Sequence, residues 1–178
     1  MALIRFVEAA LSYIDRLVMW FVGVMLLVMM IVLFANSIGR AVLNISFVGG
    51  PALGRLLMIW LTFMGAYLLV RTSRHISIDI AIRLASDRNR RLLVILINLA
   101  GAVTTGYLTW LGYLFTLSRF VRGQMDPMLS VPTGIFYLAI PLGCALMAIS
   151  FFHNALKAVV EDPPEGVLKS DRLGEQEK

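Results

Sequence analysis

Residues 17–39 read LVMWFVGVMLLVMMIVLFANSIG, and no Asp, Glu, Lys or Arg interrupts them. An α-helix rises 1.5 Å per residue, so about 20 such residues cross the hydrocarbon layer of a bilayer. Three further apolar blocks follow at 53–70, 92–118 and 131–153, and none contains a carboxylate. The pattern predicts an all-α integral membrane protein with four transmembrane helices. Residues 1–160 form the membrane domain, and 161–178 form a tail. Ion-coupled carriers and proton relays place ionisable groups at mid-membrane. Their absence marks the chain as a membrane part of something larger.

Composition agrees with this reading. Of the 178 residues, 59% are hydrophobic and 15% charged, with mean hydropathy +0.82. A soluble domain carries about 25% charged residues. Four spans leave only short loops and a tail, with no room for a separate soluble domain. The net charge of +5 could suggest nucleic acid, but the arginines cluster beside the spans, where they set topology. Cys144 is the single cysteine, which excludes an intrachain disulfide and a Cys-x-x-Cys pair. Its place in the fourth span suits a small packing residue. The first block is too long for the apolar region of a cleavable signal, and no small-residue cleavage site follows it.

Orientation follows from Lys and Arg in the flanks. The N-terminal flank, the second loop and the tail together carry twelve, against four on the other side, Arg40, Arg55, Arg119 and Arg122. Both termini are therefore expected in the cytoplasm.

The connecting segments carry their own signals. Arg5, Glu8, Ser12 and Asp15 recur at helical spacing. They make one polar stripe, which suits an N-terminal interfacial amphipathic helix; the alternative is a polar extension of the first span. Gly49, Gly50 and Pro51 mark a turn. The second helix is expected to start near Pro51, with Arg55 snorkelling to the interface. Residues 76–82 alternate like a strand but have no visible partner, so an extended entrance and a short interfacial helix are expected there. Residues after Val160 are charged and free of aromatics, a composition that predicts disorder.

Few residues offer chemistry. His75 and His153 are the only histidines. Both fall near the cytoplasmic side, which leaves open a haem-binding or quinone-linked redox subunit. No Cys/His/Asp/Glu cluster supplies the four ligands of a zinc site. Asn36 and Asn98 lie within spans and need partners in the protein interior or a companion subunit. Small residues recur four apart at Ala35 and Gly39, Thr62 and Ala66, Gly101 and Thr105, and Ala139 and Gly143, spacing that lets helices approach closely. No phosphate loop, nucleophile motif or paired carboxylates occur, so the chain is not expected to be an enzyme. A free-standing small carrier, binding ions through backbone carbonyls, is the remaining alternative.

Three stretches together carry a resemblance. The first span ends Asn36-Ser37-Ile38-Gly39-Arg40. The second holds Trp60, Gly65 and Ala66, and is followed by Arg71 and by His75-Ile76-Ser77-Ile78-Asp79. The fourth reads Tyr137-Leu138-Ala139-Ile140-Pro141-Leu142-Gly143. In these and in the number and order of its spans, the chain resembles the small, DctQ-like permease subunit of tripartite ATP-independent periplasmic (TRAP) transporters. Relatives often carry two acids before the arginine of the second span; here Pro51 and Ala52 stand in their place, with Arg55 retained.

The resemblance implies two protein partners. A large TRAP membrane subunit would hold the sodium and substrate sites, so this chain would need no cofactor of its own. A periplasmic substrate-binding protein would capture an organic anion, often a carboxylate. The small subunit would brace the large one within the membrane lipids and contribute to the docking surface. Gly39, Arg40, Arg55, Trp60, Gly65, Ala66, His75, Asp79, Pro141 and Gly143 are then candidates for structural or interface roles. Arg40 lies on the opposite side from His75 and Asp79, so these three cannot share one substrate pocket.

Overall fold

The computed structural model describes residues 2–44, 49–72 and 87–160. Five helices account for most of them: α1 (Ala2–Leu43), α2 (Gly50–Thr72), α3 (Asp87–Val121), the short α4 (Gly134–Tyr137) and α5 (Ala139–Val160). Four stretches are long and apolar enough to cross a membrane: Leu11–Val42, Gly50–Thr72, Leu92–Val121 and Gly134–Val159.

The helices begin and end where local chemistry dictates. α1 contains no proline and no glycine before Gly23, so nothing separates the N-terminal polar stripe from the first span. The amphipathic N-terminal stretch is helical, as expected, but it is the leading part of α1 and not a separate element. α1 stops at Asn44, whose φ of 53° is the left-handed conformation common beyond helix ends. Pro51 sits in the first turn of α2, where an amide N–H has no intrahelical partner. α3 closes on Gly123 at φ 59°. The Gly123 N–H donates to Phe120 O and the Gln124 N–H to Arg119 O, the paired bonds of a Schellman motif.

Pro141 explains the break between α4 and α5. It lacks the N–H that would reach Tyr137 O. That freed carbonyl instead accepts the Thr116 hydroxyl, at 3.1 Å. Val131, Pro132 and Thr133 belong to the preceding loop, so the fourth span starts three residues later than its hydropathy suggests. Its apolar stretch continues to Val159, because a helix need not stop where apolar composition does.

The helices form a row in the order α1, α2, α5, α3. Small residues set the spacing, as expected where lipid removes the hydrophobic drive for association. A Cβ on Gly50 would meet Asn36, and one on Gly54 would meet Leu33, so α2 lies close along α1. A Cβ on Gly143 would lie 2.7 Å from Phe63 Cβ and 3.0 Å from Phe63 O, so α5 touches the backbone of α2. Gly101 abuts Phe151, and Gly112 abuts Ile140 and Pro141, which seats α3 on α5. These contacts run in opposite order for α1–α2 and α3–α5, and in the same order for α2–α5. The first two pairs are antiparallel and the third is parallel. Tyr67, Cys144 and Met147 form the buried centre at the α2–α5 junction, with Ile14, Val18 and Ala66 packed around it. Cys144 is thus the packing residue its position suggests.

Candidate functional site

Two polar clusters stand at opposite ends of α2. Sixteen residues separate Arg55 from Arg71, about 24 Å along a helix axis. They are therefore distinct sites on the two sides of the membrane layer.

The first cluster lies toward the end where α2 finishes. Tyr67 and Arg71 are four apart on α2 and share one face. Asp15 on α1 meets both. Its Oδ1 accepts the Tyr67 hydroxyl at 2.5 Å. Arg71 Nε donates to Oδ2 at 2.8 Å and to Oδ1 at 3.0 Å, and Nη2 donates to Oδ2 at 2.5 Å. Only 9% of the Arg71 side chain and 23% of that of Asp15 are exposed. This is a bidentate pair held within the helix layer, the geometry in which arginine binds carboxylate best.

The second cluster lies at the opposite end, around the loop between α3 and α4. Arg55 Nη2 donates to Asp126 Oδ2 at 2.6 Å. The Asp126 side chain is 3% exposed and that of Arg55 is 61% exposed. Asp126 also shapes the loop. Its Oδ1 accepts the N–H groups of Met128 and Leu129, an Asx-type turn. Its own N–H donates to Val131 O, and its carbonyl accepts Ser130 N–H. Arg55 also lies over the Phe136 ring, 5.5 Å from the centroid. Nearby, Arg119 donates to Gln124 Oε1 at 2.6 Å and stacks on Phe115 and Tyr137. Trp60 Nε1 donates to Ile135 O at 3.1 Å. Pro51, Ala52, Arg55, Asp126, Pro127 and Met128 line an open pocket of about 290 Å³.

The candidate residues fall into several environments. Arg55 does not simply snorkel; it holds a carboxylate. Trp60 bonds α4 and meets the Phe21 ring of α1 in a T-shaped contact. Ala66 packs at the buried centre, Gly143 provides the α2–α5 approach, and Pro141 is buried against α3. Gly65 has open space where a side chain would be. Gly39 is half-buried and Arg40 exposed on the last turns of α1. His75 and Asp79 lie outside the described residues, as do the alternating 76–82 stretch and the tail after Val160. His153 is buried in α5. Asn98 donates to Val94 O on its own helix. Among the described residues, no three His, Cys, Asp or Glu side chains come together to hold a metal.

Asp126 and Tyr67 escaped the sequence reading. Asp126 was the legible one: a lone acid followed by proline in an otherwise basic loop, a turn-forming pair. Tyr67 sits in an apolar run and carries no such signal. Asp15 was visible in the N-terminal stripe, but its partners on α2 were not.

One ion pair thus joins two helices and the other joins a helix to a loop, each at its own end of α2. The family model for tripartite ATP-independent periplasmic transporters, DctQ component, matches residues 29–161. The chain belongs to the DctQ family. The matched stretch contains Arg55, Tyr67, Arg71 and Asp126; Asp15 lies before it. The chain is 34% identical over 121 residues to the C4-dicarboxylate TRAP transporter small permease protein DctQ of Rhodobacter capsulatus, covering 68% of this chain and 53% of that one. It is 30% identical over 123 residues to the ectoine TRAP transporter small permease protein TeaB of Halomonas elongata, covering 69% and 64%. These alignments span about half to two thirds of the relatives' lengths. A putative TRAP transporter small permease protein of Haemophilus influenzae is 21% identical over 165 residues, 93% of this chain and 92% of that one.

Proposed function

We propose that this DctQ-family chain is the small membrane subunit of a sodium-driven importer of an organic acid. In this reading it braces the large transport subunit and helps to dock the periplasmic binding protein. The family match over 29–161 carries the proposal. The structure is compatible with it, since the described ionisable pairs join helices to each other and to a loop. Sodium and substrate belong on the large subunit, and this chain needs no cofactor and catalyses no reaction. The relatives' names mention a C4-dicarboxylate and ectoine, both small solutes bearing carboxylate, which favours that class.

Orientation completes the reading. The twelve-to-four distribution of Lys and Arg favours the termini and the Arg71–Arg91 loop on the cytoplasmic side of a bacterial inner membrane. The Arg55–Asp126 end then faces the periplasm. Reporter fusions after Lys178 and within 44–50 should report opposite sides, and a periplasmic signal from the C-terminal fusion refutes the orientation.

The functional test is reconstitution of the large subunit, the binding protein and a sodium gradient, with and without this chain. Uptake should require it. Undiminished uptake in its absence would remove the essential role, and uptake by this chain alone would favour a free-standing carrier. Arg40→Ala and His75→Ala should lower complex yield or maximal uptake more than apparent substrate affinity. The reverse pattern would place the residue at the substrate.

A further inference from the structure

The outer face of α3 gathers three exposed polar-tipped aromatic residues beside a glycine. Gly101, Thr105, Gly112 and Thr116 point toward α5 and α4. At 100° per residue, Gly106, Tyr107, Trp110 and Tyr113 occupy an arc of about 120° on the other side. Tyr107 is 63% exposed, Trp110 61% and Tyr113 52%, and nothing lies within 4 Å of a Cβ built on Gly106. Tyr107 stands at the middle of the apolar stretch Leu92–Val121. Trp110 and Tyr113 follow about 5 and 10 Å away, inside a hydrocarbon half-thickness of about 15 Å.

Aromatic residues with polar tips belong at the membrane interface, where one end of the ring is wet. Among the described residues, these two hydroxyls and the indole N–H have no hydrogen-bond partner. Acyl chains offer none, and an unmet donor in hydrocarbon is costly. At comparable depth α1 exposes Val24, Leu26, Leu27, Met30 and Ile31 with a single polar-tipped aromatic, Trp20, while α5 exposes Leu142, Ile149 and Phe152. Thr62, exposed on α2, donates to Met58 O of its own helix. Three such tips therefore gather on one face of α3, at the edge of the row where α3 has α5 as its main neighbour, whereas α1 at the other edge carries one at that depth, Trp20.

We propose that the Gly106–Tyr107–Trp110–Tyr113 face of α3 is a protein interface. Its occupant is a transmembrane helix of the large transport subunit that presents hydrogen-bond acceptors at mid-membrane. The indole N–H only donates, so the partner must supply a carbonyl, hydroxyl or carboxamide oxygen. Gly106 lets the partner's backbone come close, as small residues do between membrane helices. The proposal rests on the subunit reading above, and the two fail differently.

The test is co-purification of the large TRAP membrane subunit of the same organism with this full-length chain. The wild type is compared with Gly106→Leu and with the double variant Tyr107→Phe and Trp110→Phe. The double variant keeps an aromatic ring at each position and removes two polar tips. At a seated interface it lowers recovered partner about five-fold, the loss of two interhelical hydrogen bonds, and Gly106→Leu lowers it further by blocking approach. On a lipid-facing surface both changes leave recovery unaltered, and the double variant raises the thermal midpoint of the chain alone, since it removes polar groups from hydrocarbon. A photoreactive phenylalanine derivative placed at position 110 should cross-link to the large subunit, and one placed at Ile31 should not. If the wild type recovers the partner but the variants recover it equally well, the interface is wrong and the subunit reading stands. A position-110 product of twice the chain mass, or lipid adducts alone, overturns the assignment in favour of self-association or lipid. If even the wild type recovers no partner, the subunit reading falls and the interface with it.

Discussion

The two ion pairs at the ends of α2 look alike in sequence, each an arginine on one element and an aspartate on another, yet they do different work. Asp15–Arg71 is enclosed between helices and joined by the fully buried Tyr67. Arg55–Asp126 has an exposed guanidinium and a buried carboxylate. In the first pair both charges depend on each other. In the second, the carboxylate is needed by the loop whether or not the arginine is present, because it also accepts two backbone N–H groups. A contact between oppositely charged residues thus has a worth set by what each partner would lack without the other.

The comparison can be broken by substitution. Replacing Arg71 by Ala leaves the Asp15 carboxylate in a half-enclosed site, and should lower stability by about 3 kcal/mol, the cost typical of stranding one member of a buried pair. Thermal unfolding in detergent micelles, followed by circular dichroism, measures it. A negligible shift would mean that the cluster is hydrated and contributes little.

Asp126→Ala should cost about 2 kcal/mol, because it removes a charged contact and two turn hydrogen bonds together. Asp126→Asn sharpens the point. The amide oxygen can still cap the turn, so most of that loss should be recovered even though the charge is gone. Equal losses for Ala and Asn would show that the charge, not the turn, is what matters.

Arg55→Ala should cost about 1 kcal/mol, because the Asp126 carboxylate left behind keeps two backbone N–H donors. Its effect should shrink further in high salt. A loss as large as that of Arg71→Ala would erase the distinction. Smallest of all is truncation after Pro163, beyond both clusters, which should shift stability by less than about 0.5 kcal/mol and leave complex formation near that of the full chain.

Helix number, order and approximate position were legible because apolar runs without carboxylates leave few alternatives in a chain of this length. So was the role of Gly101, Thr105 and Gly143, since small residues at four-residue spacing have one common use in membrane helices. The single-layer arrangement was not legible. Apolar residues cover all sides of these helices, so periodicity names no inward face. Contacts between distant positions were equally hidden: nothing near Asp15 points to Tyr67, and nothing near Arg55 points to Asp126. The Pro141 carbonyl exchange shows the same limit. The sequence reveals which bond is lost, but only the structure reveals that Thr116 replaces it.

The order of helices in the row has a consequence for how the molecule is made. α1 with α2, and α3 with α5, are each antiparallel neighbours along the chain, so each pair is a hairpin whose contacts are local in sequence. The α2–α5 junction and the neighbouring Arg55–Asp126 contact join distant segments. A ribosome delivering the chain into a membrane completes the first hairpin before the second exists, and each can satisfy its own backbone within lipid. The junction, where Gly143 rides on the backbone of Phe63 and Trp60 reaches Ile135, closes last. It is the step at which a finished subunit is distinguished from two independent inserts, and the place where a quality-control protease would find the unassembled chain still open.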